Sequence, residues 1–135
     1  MKQRKIKNII ATTLVICIFS VMTVFAITYS IADPVITRTS SQTTLNMKID
    51  LSMNASSDAG LALNITPYYS LRGSAELLQD TTKGISSYSG RVVQLRGSVN
   101  YLYAVDSHKT YVKYIQKGYT LVSGNYVLVA TKTTN

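Results

Sequence analysis

The chain has little from which to build a thiol or metal site. Among its 135 residues there is one cysteine, Cys17, and one histidine, His108. Cys17 lies inside an apolar run between Ile16 and Ile18, so it reads as one more hydrophobe and not as a lipoprotein signal. Without a second thiol no disulfide framework can form, and without a second His or Cys a zinc site lacks ligands. Asp106 stands two residues before His108, in a segment that reads as a solvated turn. Asp33, Asp50, Asp58, Asp80 and Asp106 show no calcium-loop spacing.

Acids are also scarce, with six Asp or Glu against fourteen Lys or Arg, for a formal net charge of +8. Only 15% of residues are charged, which excludes a charge-driven disordered chain. There is no Gly-x-Ser-x-Gly elbow, and a Ser-His-Asp triad would have to use His108. A glycosidase pair would have to combine Glu76 with an aspartate across a cleft that a domain this small has little room for. The expectation is a protein that is not an enzyme and needs no cofactor.

What the chain does have begins with Lys2, Arg4, Lys5 and Lys7, ahead of an uncharged stretch from Ile9 to Ala26. A basic start before such a run is a secretory signal or a membrane anchor, and in either case the positive-inside rule places the remainder of the chain outside the cytoplasm. Small residues at Ser30 and Ala32 fit a signal-peptidase cut between Ala32 and Asp33; Val24 and Ala26 offer a second such pattern. The run exceeds the ~7–15 residues of a typical signal core, which favours an uncleaved anchor as the alternative. Residues 1–32 are read accordingly, 33–44 as a linker or edge strand, and 45–135 as a single β domain.

From Asp33 onward the charge is +4, and nine tyrosines occur with no Phe or Trp. Ser and Thr make up 25 of these 103 residues. Tyr and Thr favour half-buried strands, where an apolar body faces the core and a hydroxyl reaches water. Leu45, Met47, Ile49, Leu51 and Met53 alternate with polar residues, and Leu61, Leu63 and Ile65 resume the pattern until Pro67, which belongs at a strand start or edge. Ser70-Leu-Arg-Gly-Ser74 returns as Gln94-Leu-Arg-Gly-Ser98, and the two copies read as equivalent strands. Tyr69, Leu71, Gly73, Ala75 and Leu77 would then face the core, as would Val93, Leu95, Gly97, Val99, Tyr101, Tyr103 and Val105. Residues 111–115 and 126–130 are strands by composition. A hairpin turn falls on Gly124-Asn125, and Gly118 marks a bulge. The fold class is all-β, a small antiparallel sandwich or barrel of about six or seven strands behind an N-terminal hydrophobic export helix.

These readings converge on an exported, non-catalytic β-domain of the bacterial cell envelope, with a binding or structural role. The cysteine-free exported chain suits a Gram-positive source. Arg72 and Arg96, on the solvated face of the repeat, are the candidate binding residues. Their natural partners are anionic wall polymers, lipid headgroups or a membrane protein, and not nucleic acid. The competing reading is a secreted antibacterial or pore-forming protein acting on anionic membranes, since alternating strands can also line a barrel.

Overall fold

The alternation that starts at Leu45 becomes one long strand, β3 (Thr44–Ala55), with Met47, Ile49, Leu51 and Met53 buried on one face. The computed structural model describes residues 27–56 and 59–135, so the signal or anchor reading of 9–26 and its export helix lie outside the described residues. β1 (Tyr29–Ile31) and β2 (Val35–Ser40) succeed one another along one edge of β3, and β7 (Gln94–Ala104) takes the other edge. In the second sheet β4 (Ala59–Leu71) carries β6 (Lys83–Arg91) and then β5 (Leu78–Gln79) along one edge. Its other edge pairs with β8 (Lys109–Val122), and β9 (Asn125–Thr134) lies outside β8. Every one of these pairings is antiparallel. The chain is therefore all-β, with two antiparallel sheets in a sandwich-like arrangement and no α-helix among the described residues. Of the nine strands among the described residues, the short β1 and β5 and the longer β6 are ones that the sequence did not announce. Because β1 and β2 precede residue 45, the sheets take in more of the chain than 45–135.

The core forms where the inner faces meet. Leu61, Leu63, Ile65 and Pro67 of β4 and Leu95, Val99, Tyr101 and Tyr103 of β7 join the β3 residues. Each fully buried aliphatic side chain contributes roughly 1.5–3 kcal/mol. Tyr101 OH donates across the sandwich to the Ile65 carbonyl at 3.1 Å, and Tyr114 OH lies 3.9 Å from Met47 Sδ. Tyrosine thus does the work of phenylalanine here, with the Tyr101 and Tyr114 hydroxyls each given a partner. Gly97 and Gly118 are required by close approach: a Cβ at Gly97 would stand 2.9 Å from Ile85 Cγ2, and one at Gly118 would stand 2.7 Å from Met53 Sδ.

Three expectations need correction. The repeat does not make two equivalent strands. Its second copy is β7, held against β3 along its whole length. In the first copy β4 ends at Leu71, where β8 also begins, opposite Lys109. Arg72 and Gly73 then turn the chain, with Gly73 at φ 82° and Ser74 N–H donating to the Leu71 carbonyl at 3.0 Å. Leu71, Gly73, Ala75 and Leu77 are exposed, and only Tyr69 packs on the core. Val93 and Val105 are also exposed; Val92 takes the buried place. Nor is Pro67 at a strand start or on an edge strand: it lies inside β4, which is paired on both sides. Its carbonyl accepts from Asp80 N–H at 2.9 Å, so its missing N–H faces the same side, where β6 gives way to β5 and no ladder partner is needed. The hairpin tip is Ser123-Gly124, at φ 48° and 81°, closed by Val122 opposite Asn125. The two positive φ values match the turn that suits twisted strands. Gly118 does sit at a bulge, against β9.

Candidate tyrosine-lined furrow

Burial of Leu61, Leu63, Ile65 and Pro67 turns Ala62, Asn64, Thr66 and Tyr68 to the outer face of the second sheet. Antiparallel register then fixes their neighbours. Ala62 stands between Ser86 and Tyr119, Asn64 between Gly84 and Lys117, and Tyr68 between Gln79 and Lys113. Beyond β8, Leu121 is opposite Tyr126, whose ring meets that of Tyr88 edge-on at 6.0 Å.

These residues enclose two open hollows of about 400 Å³ and about 280 Å³. The larger is walled by Tyr88, Tyr119 and Tyr126, and the smaller by Tyr68, Thr82 and Lys117. Asn64 and Tyr119 line both, so they form one furrow. Its span from Ala62 to Tyr68 along β4 is roughly 20 Å. Thr66 and Thr82 hydroxyls are hydrogen-bonded to each other at 2.7 Å, and Lys113 Nζ lies 5.3 Å from the centre of the Tyr68 ring. The Tyr88 phenol is held below its usual range by hydrogen bonds to Ser86 and then Tyr126, and the same contact pushes Tyr126 up.

Charge on this face has one sign. Lys113 and Lys117 project from β8, while the carboxylates of the described residues lie elsewhere. Asp50 pairs with Lys48 on the first sheet, Asp33 pairs with Lys132 at 2.9 Å, and Asp80 turns to Tyr111. Glu76 and Asp106 are in connections between strands. Gly84 shapes the furrow floor. A Cβ there would stand 2.2 Å from Asn64 Oδ1 and 2.9 Å from the Leu63 carbonyl oxygen. Rotating Asn64 away relieves only the first clash. Gly84→Ala is therefore expected to cost about 1–3 kcal/mol of stability, read as a lower urea midpoint.

A second cluster of functional side chains closes one end of the sandwich. The Tyr111 ring lies 5.7 Å from both Tyr69 and Tyr103, and 6.4 Å from Tyr114 in a stacked arrangement. Tyr111 OH donates to Asp80, and Lys109 Nζ lies 3.7 Å from the same carboxylate and 4.4 Å from the Tyr69 ring centre. Burial, the largest single influence on Asp80, works to raise its pKa. Tyr111, the Thr81 N–H and Lys109 together outweigh it, and the net shift is downward. Burial first, and then Asp80, push the Tyr111 phenol well up. This network knits strands together.

The two candidate binding residues, Arg72 and Arg96, are not brought together, whereas Asp106 and His108 border one open hollow of about 610 Å³. Arg72 is exposed in the turn after β4, whereas Arg96 lies in β7 on the outer face of the first sheet. Arg96 borders a separate hollow of about 440 Å³ with Asp33, Val35 and Asp50. His108 and Asp106 are exposed, and no cluster of three His, Cys, Asp or Glu fit for a metal occurs among the described residues. Ala32 and Asp33 lie in the short link between β1 and β2. Sequence reasoning missed β6, and with it Gly84, Ser86 and Tyr88, because Ile85-Ser-Ser-Tyr88 carries no period-two pattern.

No known protein family matches the chain, and no curated protein matches its sequence. Among solved structures it is similar to part of a beta-glucosidase from Kluyveromyces marxianus, at 12% identity and a TM-score of 0.33, covering 81% of this chain and 14% of that one. The same enzyme in complex with glucose gives 11% identity and a TM-score of 0.32 with the same coverage. The chain spans about one-seventh of the length of those proteins, and a likeness that slight carries nothing about function.

Proposed function

We propose that the chain is an exported, non-catalytic binding domain of the cell envelope, whose furrow on the second sheet holds a hydroxyl-rich anionic polymer. One observation carries the reading: Tyr88, Tyr119 and Tyr126 wall an open furrow beside Lys117 on a face that shows no carboxylate among the described residues. Tyrosine rings offer flat apolar surfaces to the C–H faces of sugar rings or polyols, and their hydroxyls bond at the rim. Asn64 and Ser86 supply further adaptable donors and acceptors. Lys113 and Lys117 suit phosphate or carboxylate groups repeated along a chain. A sheet holds such groups in fixed positions at little entropic cost on binding. Arg96 lies on the other sheet and Arg72 beyond the end of β4, so neither enters this site. The export segment, Lys2 to Ala26, would deliver the domain to polymers of this kind.

Sedimentation with isolated cell walls tests the reading. The domain should sediment with walls and stay in solution once their anionic polymers are extracted. Tyr88 is 65% exposed and Tyr126 41%, so both can be replaced without touching the core. The double variant Tyr88→Ala, Tyr126→Ala is expected to weaken binding about thirtyfold, from roughly 1 kcal/mol lost per stacked ring. Lys113→Ala with Lys117→Ala should flatten the salt dependence. Undiminished binding by the tyrosine variant would assign the polymer to another surface.

A further inference from the structure

We infer that the mature chain begins at Ile27, by hydrolysis of the Ala26–Ile27 bond and not of the Ala32–Asp33 bond. The inference rests on the export reading and is independent of the furrow. Among the described residues, hydrogen bonding to the sheets begins at Thr28. Its N–H donates to Ser56 Oγ at 3.0 Å, and its carbonyl accepts from Ser56 N–H at 3.1 Å. Tyr29, Ser30 and Ile31 then pair with Ala55, Asn54 and Met53. Ile31 is buried, with its Cδ1 close against Gly118 of β8.

β1 is also a clasp between the two sheets. Lys132 of β9 reaches across to the Ile31 carbonyl at 3.1 Å and to Asp33 at 2.9 Å. Cutting after Ala32 would remove the strand, uncover Met53 and Gly118, and leave Lys132 with Asp33 alone. Cutting after Ala26 keeps all of these contacts and leaves a single residue, Ile27, ahead of the first hydrogen bond. Val24 and Ala26 meet the small-residue requirement at −3 and −1. The step is a simple hydrolysis by a membrane-bound signal peptidase. Water supplies the hydroxyl to the Ala26 carbonyl carbon and the proton to the Ile27 nitrogen.

The test is the intact mass of protein made from the full chain, with its own N-terminus, in a secreting bacterial host. A released chain starting at Ile27 is expected. Ala26→Phe should abolish release of that product, whereas Ala32→Phe, at an exposed position, should change its mass only by the substitution. A chain starting at Asp33, or processing blocked by Ala32→Phe, overturns the assignment. An unprocessed chain held in the membrane overturns the cut while leaving export intact; an unprocessed chain in the cytoplasm overturns both.

Discussion

Replacing Gln116 with methionine is expected to stabilise the protein by about 1–3 kcal/mol, the penalty for an amide buried without hydrogen bonds. Gln116 lies on the inner face of β8, between Tyr114 and Gly118, and is fully buried. Neither its Oε1 nor its Nε2 has a hydrogen-bond partner among the described residues. Methionine keeps the unbranched shape and nearly the same volume, so the core need not rearrange. For a domain of this size the gain corresponds to a rise in Tm of at least about 4 °C, and the urea midpoint should rise with an unchanged slope. A lower Tm would mean that the amide is satisfied inside the folded protein, as an ordered interior water could do, and that its replacement removes those bonds.

That same strand explains which parts of the molecule could be read from its sequence. β3 and the first half of β4 were legible because each puts aliphatic residues on one face and polar residues on the other. The faces of β8 are not so marked. Its inner face reads Tyr114, Gln116, Gly118, Thr120 and its outer face Ile115, Lys117, Tyr119, Leu121, so hydrophobicity does not separate them. The furrow was hidden for that reason, together with β6, whose Ser and Gly residues carry no strand signal. The repeat misled because identical words meet different partners. Arg96-Gly97 is pinned inside a ladder with β3, where Ile85 uses the space a side chain would fill, whereas Arg72-Gly73 runs past the end of β8 and turns. Local sequence set what each segment could do; the strand alongside decided what it did.

Acid should unfold the domain partly through Asp80, and Asp80→Asn should remove that part. The Asp80 pKa is lowered in the fold: burial opposes ionisation, but Tyr111, the Thr81 N–H and Lys109 favour it by more. A lowered carboxylate pKa contributes stability that is complete above the unfolded value, near 3.9, and is lost as pH falls through the folded value. At pH 7 Asp80→Asn is therefore expected to cost about 1–2 kcal/mol, since asparagine can still accept from Tyr111 but has no charge for Lys109. As pH falls below about 4 the wild type should lose this advantage, and its Tm should converge on that of the variant. Tyr111→Phe should narrow the pH-dependent gap, because it removes the donor that most favours the charged carboxylate. A double-mutant cycle would separate that coupling from lost packing. At the alkaline end the sign reverses. Tyr101, Tyr111 and Tyr114 have raised pKa values, each chiefly through burial. Their contribution is complete below the unfolded value, near 10, and is lost as pH rises towards the folded ones. The alkaline loss should persist in Asp80→Asn, since burial remains, while the acid loss shrinks. Parallel acid curves for wild type and variant would show instead that Asp80 binds its proton equally well folded and unfolded.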